Sequence, residues 1–145
     1  MAARIKHQLF FQHSPEAVWE YLTNAELMEL WLMKNDFQPV IGHKFQFQAK
    51  PIPKMGFDGN IFCEVLEIIP NKKLVYTWKG GPKPGVIGLD TTLTWSLSPE
   101  GEGTRLVLEH TGFKGWKNYL ASIFMEQGWK KGIARRFANV LNEME

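Results

Sequence analysis

Polar and apolar positions alternate at the start of the chain. In RIKHQLFFQ, Ile5, His7, Leu9 and Phe11 fall on one side and Arg4, Lys6 and Gln8 on the other. That two-residue period predicts a strand with one buried face. SPEAVWEYL changes the pattern to a helix, with Ser14 placed to cap the free amides, Pro15 suited to the first helical position and Glu16 at the positive end of the dipole. NAELMELWLM predicts a second short helix. The runs HKFQFQA, NIFCEVLEII, KKLVYTW, DTTLTWSL and TRLVLEH are each short and rich in β-branched or aromatic residues. They are separated by the turn formers PIPKMGFDG, PNK, GGPKPGVIG and SPEGEG. Connections this short predict an antiparallel meander of about six strands.

The period lengthens in the closing stretch FMEQGWKKGIARRFANVLNEME. At about 100° per residue, Trp129, Ile133, Phe137, Val140 and Met144 share one stripe, while Lys131 and Arg135 point the opposite way and read as a solvated outer face. A helix from about residue 118 to 142 is predicted to cover the sheet. Traced backward, the stripe takes in Tyr119, Ser122 and Glu126, so a mixed polar and aromatic half precedes a plainly hydrophobic one. That asymmetry predicts a hollow end and a packed end. Gly128 and Gly132 each sacrifice roughly 1 kcal/mol of helix stability relative to alanine. Close approach or bending would offset the loss, and simple tolerance of it is the alternative.

Strand parity names the walls of a cavity between sheet and helix. KFQFQ offers Phe45 and Phe47, KKLVYTW offers Leu74, Tyr76 and Trp78, DTTLTWSL offers Leu93, Trp95 and Leu97, and TRLVLEH offers Leu106, Leu108 and His110. The helix adds Ser122, Glu126, Trp129 and Ile133. In IFCEVLEI either face carries a glutamate, so Ile61, Cys63, Val65 and Glu67, or else Phe62, Glu64, Leu66 and Ile68, turn inward. Trp129 is expected to face the cavity with Trp78, Trp95 and Tyr76, beside an entrance rimmed by GGPKPGVIG with its four glycines and two prolines. Six tryptophans are difficult to pack without gaps in a chain this small.

Composition narrows the chemistry. The 145 residues suit one domain, and a net charge of +2 gives no excess for a nucleic-acid partner. The lone Cys63 forbids an intrachain disulfide and reads as a buried inert thiol in a reducing, cytoplasmic setting. No apolar run reaches the ~18 residues of a membrane span, so no stable membrane insertion is expected. His7, His13 and His43 are dispersed without ligand spacing, so neither metal nor cofactor is expected. Ser14 is a cap rather than a nucleophile, and no catalytic residue is assigned. His110 ends an otherwise apolar set, and Glu126 is its candidate partner.

HSPEAVWEYLTNAELMELW, EVLEIIPNKKLVYTW, TTLTWSLSPEGEGTRLVLEHTGF and QGWKKGIARRFANVL, in this order, resemble the activator of the ninety-kilodalton heat-shock protein ATPase, within the START-like SRPBCC superfamily. The resemblance covers nearly the whole chain and implies an α+β helix-grip fold over residues 1–145: a curved antiparallel sheet around a long C-terminal helix, with two short helices after the first strand. It also implies a deep cavity, used by different members for lipids, hormones or polyketides, and no shared catalytic set. Arg136 departs from the pattern, since relatives usually carry an apolar residue seven positions after the tryptophan. Three functions follow: a binder of a small hydrophobic, lipid-like or aromatic molecule; a cyclase- or hydrolase-like enzyme using Tyr76, His110 or Glu126; and an interaction module with a chaperone partner. The binder ranks first, because it requires only an apolar pocket with a few polar anchors.

Overall fold

The computed structural model describes residues 2–83 and 85–143, without the side chains of residues 2, 3, 55, 116, 117, 119 and 120. β1 (Ala2–Phe11) leads into α1 (Pro15–Thr23) and α2 (Ala25–Trp31). Then come β2 (Lys34–Asn35), β3 (Lys44–Gln48), a 3-10 turn (Pro53–Met55), β4 (Asn60–Ile69), β5 (Lys73–Gly80), β6 (Leu89–Glu100) and β7 (Gly103–Lys114). The seven strands form one antiparallel sheet in the order β1-β7-β6-β5-β4-β3-β2. The strand beyond the expected six is β2, whose two residues are too few to show a period. The sheet curls around the C-terminal helix in a helix-grip fold.

Ser14 and Asn24 start the two short helices, their side-chain oxygens accepting from Ala17 N at 3.2 Å and Leu27 N at 3.1 Å. β4 uses both of its candidate faces in turn. Ile61, Cys63 and Val65 are buried, and a register shift between Val65 and Glu67 then turns Ile68 against the core while Glu67 pairs with Lys73 in solvent. One irregularity lets a strand with a glutamate on each face bury neither.

The C-terminal helix is α3 (Gly115–Gln127), a π turn (Gly128–Ile133) and α4 (Ala134–Asn142). Because the π turn is wider than an α turn, it rotates everything after it. Leu141 therefore joins Trp129 and the expected Phe137 on the fully buried face, with Ile133 and Val140 half-buried beside them; Met144 lies outside the described residues. Phe137 stacks on Trp31 of α2 at 4.1 Å between ring centroids, and Trp31 meets Trp95 of β6 edge-on at 5.7 Å. Arg136, the departure from the family pattern, is exposed, and its Nε donates to the Trp31 carbonyl at 3.2 Å. It supplies a donor at the C-terminal end of α2, whose last turn has no basic residue of its own. Arg136→Met should therefore lower stability by about 1 kcal/mol through the lost hydrogen bond. Urea unfolding should show a lower midpoint with an unchanged slope.

Candidate functional site

A cavity of about 750 Å³ opens between the C-terminal helix and the ends of β4 and β5. Ile61, Trp78, Trp129, Met33 and Ile133 form its inner wall. Ile52 and Phe57, bridged to each other around the 3-10 turn, close a second side. The segment 80–89 forms the third through Gly80, Gly81, Pro82, Gly88 and Leu89. Its root is tied down, because Gly81 O accepts from Asp58 N and Gly80 O accepts from Gly88 N, both at 2.8 Å. A Cβ on Gly81 would sit 1.8 Å from the Val86 carbonyl, so only glycine permits this tight return. The helix supplies the last wall with Asn118, Ala121, Phe124, Met125, Gln127, Gly128, Lys131 and Gly132.

Behind the inner wall runs a buried polar chain. Trp129 Nε1 donates to His110 Nδ1 at 3.3 Å, and His110 Nε2 lies 2.8 Å from Thr91 Oγ1, which donates to the Trp78 carbonyl at 2.7 Å. An indole only donates, so Nδ1 must accept; the Thr91 proton is already engaged, so Nε2 must carry the imidazole hydrogen. Both ends of the chain demand the same neutral tautomer. Burial pushes the His110 pKa down to about 3, since charging it would strand an ion in the core and set two N–H groups against each other. Tyr76 is likewise sealed, its hydroxyl accepting from Trp95 Nε1 at 3.0 Å and its pKa pushed up by burial. Burial also raises the Cys63 thiol.

The family model described as "Activator of Hsp90 ATPase homolog 1-like protein" matches residues 12–142. The chain belongs to that family. Among solved structures, protein MLL2253 from Mesorhizobium loti is 32% identical over 99% of both chains, with a TM-score of 0.86. Bacillus halodurans protein BH1534 is 25% identical, covering 97% of this chain and 99% of its own, with a TM-score of 0.73. The Aha1 dimer from Colwellia psychrerythraea, 19% identical over 96% of each chain with a TM-score of 0.73, shares the fold. No curated protein matches the chain. Among the described residues, no helix is long and apolar enough to cross a membrane.

In this family member Trp78, Trp129 and Ile133 border the cavity. Of the two candidate faces of β4, Ile61 also reaches the cavity; Phe45, Phe47, Leu74, Tyr76, Leu93, Trp95, Leu108, His110, Ser122 and Glu126 lie outside its described lining. Phe45, Phe47 and Tyr76 pack on one another, with Phe47 also against Trp78. Leu74, Leu93, Trp95 and Leu108 are buried in the core, Trp95 edge-on to Trp129 at 5.8 Å. His110 and Ser122 are buried, and Glu126 is half-buried. His110 does not meet Glu126: its ring is held by Thr91 and Trp129, and the Glu126 charge acts on His7 of β1 instead. Periodicity gave no warning of Ile52 and Phe57, which reach the site from a turn, nor of Phe124, Met125 and Lys131. The cavity lies beside the Trp129 stripe, so the neighbouring row of the helix lines it. Only the polar character of the helix's first half hinted at this.

The neutral His110 makes stability depend on pH. Its unfolded pKa near 6.5 exceeds the native value of about 3, so the unfolded chain binds the extra proton. Its contribution is fully present above pH ~6.5 and is lost as the pH falls toward 3, at up to about 1.4 kcal/mol per pH unit. His110→Gln, whose amide can both accept from Trp129 and donate to Thr91, should flatten that part of the stability curve measured by denaturant titration at successive pH values.

Proposed function

We propose that the protein binds a small apolar molecule in the cavity beside the C-terminal helix. The supporting observation is the cavity itself: about 750 Å³, within the roughly 300–1,000 Å³ of small-molecule sites, and lined mainly by aliphatic, aromatic and glycine residues. The two helix glycines support the same reading. A Cβ on Gly128 would meet nothing within 4 Å, and one on Gly132 only Arg136 Nη1 at 3.5 Å. Gly128 has ordinary helical angles, φ −62° and ψ −44°, that any residue can adopt. Neither close backbone packing nor strain demands glycine there; its effect is to leave room.

The sealed state of Tyr76 and His110, each with its polar atoms engaged in the core, favours a binder over a cyclase or hydrolase working in the same cavity. A reducing, cytoplasmic setting fits the lone buried thiol of Cys63. Membership of the activator family favours a second reading, contact with a chaperone ATPase through the outer surface. That reading predicts stimulated ATPase turnover insensitive to what fills the cavity.

The test uses the neutral fluorescent probe N-phenylnaphthylamine. Wild-type protein should enhance its emission, and Gly128→Leu should abolish the enhancement while keeping a cooperative unfolding transition. Gly128→Ala should raise stability by about 0.5–1 kcal/mol, as a helix propensity gain with no steric penalty, while weakening the probe. Unchanged probe binding in folded Gly128→Leu would remove the basis for this function.

A further inference from the structure

We infer that the cavity is built for an amphipathic anion, whose apolar body lies inside and whose single acidic group sits at the helix-side lip against Lys131 and Gln127; this rests on the binding function proposed above. Polarity is confined to one wall. The polar side chains of the described lining are Asn118, Gln127 and Lys131, all from the C-terminal helix, and Lys131 is the single charged residue among them. Phe124, Gln127 and Lys131 are exposed and yet border the cavity, which places them at its mouth, spaced as neighbours along one edge of the helix. Ala121, Met125 and Gly132 are half-buried and form the row one step deeper, offering a ligand only apolar atoms and backbone, with the half-buried Asn118 at its N-terminal end. An outer row of aromatic ring, amide and ammonium above a smooth apolar row matches a tail with one acidic head.

Charge placement on the rest of the helix agrees. Glu126 and Lys130 act on His7 of β1, on the flank away from the cavity. The helix's carboxylate is thus turned aside and its Lys131 ammonium is left at the mouth. A head group at the lip stays in contact with water, so a carboxylate there avoids the desolvation that would exclude it from the inner wall of Trp78, Ile61 and Trp129. Lys131 contributes at an exposed site, so its effect is a modest and salt-dependent preference.

Decanoate, decanol and decylammonium share one tail and differ in head charge. Titrated against the protein by tryptophan emission at low salt, decanoate should bind about two- to fivefold more tightly than decanol, and decylammonium more weakly than either. Lys131→Gln should remove the preference for decanoate over decanol. Lys130→Gln, on the other flank, should retain it. Equal binding of decanoate and decanol to wild type, or a preference that survives in Lys131→Gln, overturns the head-group assignment and leaves the cavity function standing. Failure of all three to bind overturns both.

Discussion

Trp129 gives its hydrogen to His110, His110 to Thr91, and Thr91 to the carbonyl of Trp78, so each donor of that chain finds its partner inside the core. The chain ties the π turn to three strands at once, since His110 stands on β7, Thr91 on β6 and Trp78 on β5. Rotation of the helix would strand an indole N–H in the core, where an unpartnered donor costs about 1–3 kcal/mol. The azimuth of the whole C-terminal helix is thereby set by one side chain. With Trp129 pointed at the sheet, the row carrying Ala121, Met125 and Gly128 turns to the cavity and the row carrying Lys130 turns to β1.

The two ends of that helix have different duties. Beyond the π turn, Phe137 and Leu141 are buried, with Trp31, Trp95 and Phe11 completing an aromatic cluster around Phe137. Within the π turn, Gly128 and Gly132 leave the helix bare. An unfilled space lacks the dispersion contacts that a native core gains. The aromatic end, together with the hydrogen-bonded chain, supplies the rigidity that allows the other end to remain open.

Much of this architecture is legible in the amino-acid sequence. Alternation at Ile5, Leu9 and Phe11 and the Ser14-Pro15-Glu16 start are local signals, and local geometry obeyed them. The ambiguity of β4 was real in the sequence, because the bulge that resolves it depends on pairing with β5 rather than on β4 alone. The inward burial of Trp129 followed from a 3.6-residue period, whereas Leu141 was missed because that period assumes a uniform helix and a π turn breaks it. The site was less legible than the fold. Strand parity separates inside from outside but cannot tell packed interior from empty interior, so Phe45, Leu93 and Trp78 looked alike. Which of them meets a void depends on where a turn such as Ile52–Phe57 comes to rest, a long-range outcome with no local signature.

The sheet order carries a consequence for how the chain reaches its native state. β1 is an edge strand whose one neighbour is β7, so Phe11 waits for Thr104 and Ile5 for His110. The strands from β3 to β7 can zip by successive short hairpins, each closing a small loop. The first strand cannot join until the last has formed, and during synthesis from the N-terminus it is the earliest made and the latest paired. In the interval its apolar face, Ile5, Leu9 and Phe11, has no sheet to lie in, and the charged Arg4 and Lys6 beside it act as gatekeepers against pairing with another chain. Completion of the β1–β7 ladder, bolted by Thr104 Oγ1 donating to the His13 carbonyl at 2.7 Å, is thus the step that converts an open meander into a closed grip.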